Sequence, residues 1–352
     1  MLITILSFIG VIVVLILAHE LGHFVTAKAS GVKIEEFGLG YPPRLFGIRR
    51  GETMYSLNAM PLGGFVKMAG EENPKIPGSL ASKRIGTRLL ILSAGSLMNV
   101  LLPLLLFIIA FMIPHNMIVG DVLIEEVAVS SPAAMAGMEP GDTIVSLNEK
   151  PVDNIGDLQR YTILNLGNET NLLIQHSDSS MDEVQVVPRW RPPDGQGAMG
   201  VVVSLKNQTI TRQQEPFWRA IPMGAVEGIE TFGLFKNSIL SLFSDVTSLE
   251  IAGPVGIAQI TGEVAKAGIS PLLEFAAFLS INLAIINMFP IPALDGGRIV
   301  FVILEWMRRG KRISPKTEAL VHHIGFVMLI VIMVAVTYRD IIRILSGDNP
   351  IP

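Results

Sequence analysis

The chain has 352 residues, of which 50% are hydrophobic and only 16% are charged, and its mean hydropathy is +0.51. Soluble domains carry about 25% charged residues, so this composition argues against a cytosolic globular protein. The net charge of −4 and the lack of a nucleic-acid-binding motif argue against nucleic acid as a partner. The absence of cysteine excludes disulfides, cysteine nucleophiles and thiolate metal ligands.

Four stretches are apolar and long enough to form a membrane-spanning helix, which needs about 20 residues. They predict spans at residues 1–27, 89–113, 272–306 and 319–345. A cleaved signal peptide is the alternative for the first stretch, but a signal peptide starts with basic residues and none precedes Lys28. We therefore predict an α-helical polytopic membrane protein with four spans.

Charges between the spans predict the orientation. Residues 24–88 hold ten Lys and Arg against five Glu, and residues 308–318 hold five Lys and Arg. Residues 114–206, by contrast, hold five basic and thirteen acidic residues. The positive-inside rule places the two basic loops in the cytoplasm. Both termini and the acidic segment are then predicted to lie outside the cytoplasm.

Three further parts are predicted outside the spans. Residues 28–88 form a cytoplasmic β-rich loop region, and residues 120–206 form an inserted α+β domain. Within that domain, residues 131–148 resemble the core signature of bacterial PDZ domains, which bind an extended peptide or chain end as an added strand. A generic α+β spacer is the alternative. Residues 217–248 place apolar side chains at helical spacing, which predicts an amphipathic interfacial helix.

The first predicted span contains the pattern HExxH, formed by His19, Glu20 and His23. Helix positions four apart share one face, so the two imidazoles can hold one zinc ion while Glu20 reaches the attacking water. A glutamate inside the bilayer costs about 2.5 kcal/mol or more, which favours a functional role. The alternative is a polar cluster that only holds helices together.

A catalytic zinc site needs a third protein ligand, and the candidates in the predicted spans are Asp295, His322 and His323. At 1.5 Å per residue, His19 lies about 26 Å from Leu2 along the first span, and Asp295 lies about 30 Å from Phe275, the start of the uncharged stretch in the third. Their depths therefore match, near the cytoplasmic face. The two later histidines open the fourth span, where an interfacial position is the ordinary explanation. We predict Asp295 as the third ligand.

These motifs resemble the site-2 protease family of intramembrane zinc metalloproteases. The resemblance rests on HExxH in the first span and on Leu294-Asp295-Gly296 in the third. The stretches NMFPIPALDGG at residues 287–297 and GPVGIA at residues 253–258, with the PDZ-like segment, are similar to the bacterial regulator of sigma-E protease type. Two departures stand out, since only one PDZ-like domain is visible and Arg298 stands where a histidine is common.

The resemblance implies a zinc-dependent protease of the bacterial inner membrane that cleaves single-pass transmembrane proteins. An upstream site-1 protease usually removes the outer part of such a substrate first, and anti-sigma factors and signal-peptide remnants are the usual substrate classes. The family pattern also implies a set of substrate-binding residues. These are Asn287 and Asn282, with Gly63, Gly64 and Phe65 in the strand Gly63–Met68, which would pair with the extended substrate.

Two other functions compete with proteolysis. A metal-ion transporter would carry polar residues along several spans, whereas here they cluster at one depth. A non-enzymatic scaffold built on the PDZ-like domain would leave Glu20 without a role. Asn99 in the second span either supports the site or makes a helix-packing hydrogen bond.

Overall fold

The computed structural model describes residues 2–71, 73–193, 195–244 and 253–346. In chain order the elements are α1 (Leu2–Ala29), β1 (Ile34–Arg50), β2 (Thr53–Met68), α2 (Ile85–Met112), β3 (His115–Val127), α3 (Pro132–Met135), β4 (Thr143–Leu147), β5 (Lys150–Pro151), α4 (Ile155–Leu164), β6 (Thr170–Gln175), β7 (Met181–Val186), β8 (Val201–Gln213), α5 (Phe217–Ser244), α6 (Pro254–Ala267), α7 (Ile269–Met288), α8 (Asp295–Met307) and α9 (Pro315–Ser346). The chain divides into two compact units, residues 1–110 with 251–352, and residues 111–250.

Four helices of the described chain are long and apolar enough to cross a bilayer, namely α1, α2, α7 and α9. They correspond to the four predicted spans. Helix α2 begins at Ile85 rather than residue 89, so it includes Arg88, which is held by the buried carboxylate of Glu305 at 2.6 Å. A membrane protein with four apolar helices and β elements is therefore confirmed.

The predicted third span, residues 272–306, needs a correction, because the structure divides it into two helices. Helix α7 ends at Met288 and α8 begins at Asp295. Pro290 and Pro292 lie between them, and proline has no amide hydrogen to donate within a helix. The break leaves Asp295 at the first position of a new helix rather than in the middle of a span.

The region of residues 28–88, which is predicted to be β-rich, contains a small sheet formed by β1 and β2. Gly38 of β1 lies opposite Phe65 of β2 on one side and opposite Ser56 of β2 on the other. The first half of β1 is therefore flanked by both halves of β2. The segment Gly64–Met68 has partners in β1 along one edge only, so it is an edge segment of this sheet.

Helix α6 is not predicted, because residues 253–258 are considered only as a motif of the family. Asp340 of α9 explains that motif, since its carboxylate accepts hydrogen bonds from the backbone N–H of Gly256 at 2.7 Å and of Gly253 at 3.3 Å. These amides stand at the start of α6, where a helix has unpaired donors. The helix also packs closely on α1, since a Cβ at Gly262 would lie 2.4 Å from Thr4 Cγ2.

The second unit is built on an antiparallel sheet in the order β7-β6-β4-β3-β8, with β5 paired to β4. Its core consists of the inward residues of these strands, including Val122, Ile144 and Leu172. Ser131 caps α3 as its hydroxyl accepts from the N–H of Ala134 at 3.1 Å. Strands β3 and β8 pair from His115 and Gln213 inward, so the sheet extends beyond the predicted domain of residues 120–206 at both ends.

The predicted amphipathic helix of residues 217–248 corresponds to α5, and residues 245–248 lie outside the described residues. Its acidic side chains contact α4, where Arg160 forms ion pairs with Glu227 and Glu230. Trp218 and Ile229 are each 74% exposed. Helix α5 is thus attached to the domain through polar contacts and keeps exposed apolar side chains.

Candidate metal centre

Three polar side chains converge where α1 meets the start of α8. His19 Nε2 lies 3.1 Å and His23 Nε2 lies 3.2 Å from Asp295 Oδ2, and the two Nε2 atoms are 3.3 Å apart. The His19 and His23 positions follow from the helix, which places residues four apart on one face. Among the described residues, no other group of three His, Asp or Glu side chains brings its ligand atoms together in this way.

The spacing of these three atoms fits a zinc ion. Ligands about 2.0–2.1 Å from zinc at tetrahedral angles lie about 3.3 Å from one another. The observed separations of 3.1–3.3 Å are close to that edge length. Two imidazoles and a carboxylate are also a common ligand set of catalytic zinc sites, in which the fourth position stays open.

A backbone carbonyl orients one of the two imidazoles. His23 Nδ1 lies 2.8 Å from the carbonyl oxygen of Ile91 in α2. Because a carbonyl can only accept, Nδ1 carries the hydrogen and Nε2 presents its lone pair toward Asp295. Metal-binding histidines usually donate their second nitrogen in this manner. The buried His23 ring is therefore in the tautomer that a metal requires.

Two glycines allow α1 and α2 to approach at the site. A Cβ at Gly22 would lie 2.2 Å from the carbonyl oxygen of Ala94. A Cβ at Gly95 would lie 2.3 Å from His23 Nε2 and 2.8 Å from His19 Nε2. Only glycine at position 95 leaves room for both imidazoles. The sequence gives no sign of this role, because the contact exists only once the two helices are placed.

The loop before α8 fixes the position of Asp295. It folds back on the helix start so tightly that a Cβ at Gly296 would lie 2.1 Å from the carbonyl oxygen of Phe289. The N–H of Ala293 donates to His322 Nδ1 at 2.9 Å. His322 therefore holds the loop, and the geometry brings Asp295, rather than His322 or His323, to the two histidines of α1.

A cavity of about 370 Å³ lies against these three side chains. Four of the other predicted residues line it, namely Glu20, Gly64, Phe65 and Asn287. Gly63 precedes the lining residue Gly64 and is not itself in the lining. Its φ is +102°, and a Cβ there would lie 2.4 Å from Tyr41 Cε2. Asn282 is not among the lining residues, and its Oδ1 is buried without a hydrogen-bond partner in the described chain.

Sequence reasoning missed Tyr41, which lines the same cavity and stacks on Phe65 with ring centroids 6.4 Å apart. Burial raises the pKa of the Tyr41 phenol, and the nearby Glu20 carboxylate raises it further. The hydroxyl therefore stays protonated at neutral pH and can donate a hydrogen bond into the cavity. Nothing in the local sequence identifies this tyrosine.

Glu71 and Arg298 also line the cavity. From the sequence, Arg298 stands out only as a departure from the family pattern, and no sequence feature identifies Glu71.

Asn99 lies fully buried in α2, and its side-chain atoms have no hydrogen-bond partner in the part of the chain that the structure describes. Its backbone carbonyl accepts from Ser280 at 2.8 Å. Both predicted roles of Asn99 stay predictions.

Comparisons with known proteins agree with this geometry. The profile of Peptidase family M50 matches residues 7–332. A protein of Clostridium acetobutylicum named as a putative zinc metalloprotease is 36% identical over 337 residues, covering 94% of each chain. Zinc metalloprotease RasP of Geobacillus kaustophilus is 28% identical over 421 residues, covering 96% of this chain and 97% of the relative. RasP of Oceanobacillus iheyensis is 27% identical over 431 residues, covering 97% of this chain and 99% of the relative.

An HExxH helix among apolar spans, with a carboxylate from a second helix, defines a membrane-embedded zinc metalloprotease. The match extends over nearly the whole chain, including both motifs. The chain belongs to peptidase family M50, the site-2 proteases. Its class and its metal, predicted from the sequence, are confirmed.

Proposed function

We propose that this protein hydrolyses peptide bonds within or near the transmembrane segments of single-pass membrane proteins, as a step of regulated intramembrane proteolysis. The observation that carries the proposal is the convergence of His19 and His23, on a helix able to span a bilayer, with Asp295 beside an open cavity. A soluble protease would not place its HExxH pattern in such a helix. The family supports the chemistry, and the location of the motif supports the substrate class.

The geometry supports a proposed role for each residue of the metal centre. His19, His23 and Asp295 would hold the zinc ion, which when bound polarises the scissile carbonyl and acidifies the attacking water. Glu20, next to His19 on the same helix, takes the proton from that water and delivers it to the leaving amine. Tyr41 donates a hydrogen bond toward the charge that develops on the carbonyl oxygen.

A helical substrate hides its carbonyls in its own hydrogen bonds, so it must be extended before cleavage. The edge segment Gly64–Met68 offers unpaired backbone groups along the cavity, and strand addition there would keep the substrate extended. Asn287 faces the same cavity and would satisfy a freed backbone group of the substrate. Asn282 would contribute from outside the cavity lining.

The proposed location is the bacterial inner membrane, with both termini and residues 120–206 outside the cytoplasm. Support comes from the basic residues in the loops 24–88 and 308–318. The metal centre would then lie near the cytoplasmic face. An upstream site-1 protease would supply the shortened substrate, such as an anti-sigma factor or a signal-peptide remnant.

The second unit would act as a PDZ-like domain that receives a peptide or chain end. Two observations support this assignment, the antiparallel sheet with its short helices α3 and α4, and the edge strand β8. An edge strand presents unpaired backbone groups to which an extended chain can add. The domain would thereby select substrates, and it takes no part in the chemistry.

The replacement Glu20→Gln tests the proposal most directly. Glutamine keeps the size of glutamate but cannot take a proton at neutral pH, so cleavage of a transmembrane substrate in liposomes should fall by about 10²–10⁴-fold. Zinc content should stay stoichiometric, because Glu20 is not one of the converging ligands. Glu52→Gln removes a carboxylate that is 71% exposed, between β1 and β2 and outside the cavity lining, and is the matched control. Normal cleavage by Glu20→Gln would exclude Glu20 as the base, and loss of zinc would make it a ligand.

A further inference from the structure

The edge segment Gly64–Met68 ends at a side chain rather than in open space. The N–H of Met68 donates to Glu71 Oε1 at 3.3 Å, whereas the N–H of the next residue, Ala69, donates to the carbonyl of Lys33 at 2.8 Å. Backbone groups of a strand alternate between its two edges. The Met68 amide therefore points to the same edge as the backbone groups of Val66 and Gly64, which face the cavity. The Glu71 carboxylate thus accepts the hydrogen bond of the last N–H group on that edge.

Glu71 is itself held by the helix that carries Asp295. Its second carboxylate oxygen accepts from Arg298 Nη1 at 3.1 Å. Arg298 follows Asp295 by three residues in α8, a rise of about 4.5 Å along the helix axis. One carboxylate thus connects the end of the edge segment to the helix that supplies a metal ligand.

The same pair also bounds the cavity. Glu71, Leu92 and Arg298 line both the cavity of about 370 Å³ at the metal centre and a neighbouring cavity of about 200 Å³ that contains His322 and His323. Their side chains therefore form the partition between the two. A peptide that follows the edge segment from Gly64 meets this partition just after Met68.

We propose that the Glu71–Arg298 ion pair is a register stop that determines which peptide bond of the substrate is cut. The inference rests on the proposed function, since it assumes that an extended segment of a membrane-protein substrate pairs with Gly64–Met68. The register of an added strand is weakly specified when few side chains hold it in place. Gly64 has no side chain that could do so. A stop on the helix of Asp295 keeps a constant distance between the last pairing position and the metal ligands.

The pair is not needed to stabilise the fold. The side chains of Arg298 and Glu71 are 47% and 30% exposed, and exposed ion pairs contribute little to stability. Neither residue belongs to the converging ligand atoms. Removing the pair should therefore change where the substrate is cut without changing how much zinc the protein holds.

The test is mass spectrometry of the products that the full-length protein releases from one transmembrane substrate in liposomes, with zinc content measured in parallel. The wild type should cut at one main bond. Glu71→Gln and Arg298→Gln should each increase several-fold the products cut one or two residues away, with stoichiometric zinc. The double variant Glu71→Gln with Arg298→Gln should spread the cleavage sites no further than either single variant, because each change already removes the same ion pair. Lys33→Gln, which removes the exposed Lys33–Glu52 pair away from the cavity, should cut as the wild type does.

An unchanged cleavage pattern in both single variants would overturn the register stop. Cleavage sites spread further by the double variant than by the single ones would also overturn it, because the two residues would then act independently. Zinc loss in the single variants would show that the pair supports the metal centre instead. Failure of the proposed function would look different, since the zinc-loaded wild type would then cut no transmembrane substrate.

Discussion

Asp295 and Asp340 are two of the carboxylates that lie among the helices of the first unit, and their surroundings differ. Asp295 faces two imidazole nitrogens at 3.1 and 3.2 Å and adjoins a cavity. Asp340 is 2% exposed and faces the backbone amides of Gly253 and Gly256. Asp340 accepts hydrogen bonds from the start of α6, whereas the Asp295 oxygen faces two nitrogens that could bind a metal together with it.

The comparison separates a functional buried acid from a structural one by its partners. A carboxylate in an apolar segment is costly and invites a functional explanation. Backbone amides at a helix start, together with the Arg343 guanidinium at 3.6 Å, offset that cost without any ligand, as Asp340 shows. The two imidazoles at Asp295 do not, because His23 donates its Nδ1 hydrogen to Ile91 and its neutral ring then has no hydrogen at Nε2 for the carboxylate. The nature of the partners is the useful criterion, and burial alone is not.

Exchanging each acid for alanine is the strongest test of this distinction. Asp295→Ala should lower zinc affinity by more than about 100-fold, since even indirect supports of a ligand contribute 10–100-fold. Cleavage should fall with the metal. Asp340→Ala removes the same group from the other location and should keep its zinc. Zinc measured on both purified variants decides the matter, and retention of zinc by Asp295→Ala would contradict the ligand assignment.

Gly95→Ala tests whether the metal centre depends on space as well as on ligands. The added methyl would lie 2.3 Å from His23 Nε2, so the imidazoles must move, and zinc affinity should fall by about 10–100-fold. Gly86→Ala is the matched control on the same helix, because its Cβ meets nothing within 4 Å. Competition with a chelator would measure the zinc affinity of both variants. Equal affinities in the two variants would show that the imidazoles tolerate the crowding.

Asp340→Ala should affect stability rather than chemistry. It leaves two buried amides at the start of α6 without an acceptor, at about 1–3 kcal/mol for each unsatisfied group. A lower thermal midpoint in detergent is the expected result, and Asp340→Asn should lose less because its amide oxygen still accepts one bond. A midpoint equal to that of the wild type would show that water replaces the carboxylate and that this position is not structural.

The second unit offers a third buried carboxylate that sharpens the comparison. Asp142 is 3% exposed and contacts one imidazole, His176 Nδ1, at 2.8 Å, and one backbone amide, that of Glu139, at 2.9 Å. The hydrogen bond to Asp142 raises the pKa of His176 above its ordinary value of 6.5. The stabilisation by this pair is therefore complete below about pH 6.5 and declines as the pH rises through the folded-state pKa.

The expected effect is the smallest of the series, because His176 is close to solvent. Hydrogen exchange of β4, compared between wild type and His176→Asn, should differ most at about pH 6, and the difference should shrink as the pH rises through the folded-state pKa of His176. Comparing the two proteins at each pH cancels the intrinsic change in exchange rate. A difference that stays constant with pH would mean that protonation of His176 does not contribute.

The sequence carried enough information to find the apolar helices and the three side chains that converge at the candidate metal centre. Hydropathy identified the four apolar helices, helical spacing placed His19 and His23 on one face, and matching depths selected Asp295. These features are local or depend on one coordinate, the depth in the membrane. The prolines before Asp295 also signalled the break, although the span was still drawn through it.

Other features depend on contacts between distant segments, which no local pattern reveals. Helix α6 begins where it meets Asp340, more than eighty residues later in the chain. Gly95 and Tyr41 matter only because other elements pack against them. The double pairing of β1 with both halves of β2 is likewise set by how the chain bends back, not by its composition.

Asn237 of α5 donates its side-chain amide to the carbonyl oxygens of Ile163 and Leu164, at 2.8 and 3.1 Å. These carbonyls lie in the last turn of α4, where a helix normally begins to fray because its acceptors have no partner. Opening of α4 from this end therefore requires release of α5, and detachment of α5 exposes the end of α4. The two helices should consequently open as one cooperative unit, with matching protection of their amides, rather than as two independent segments.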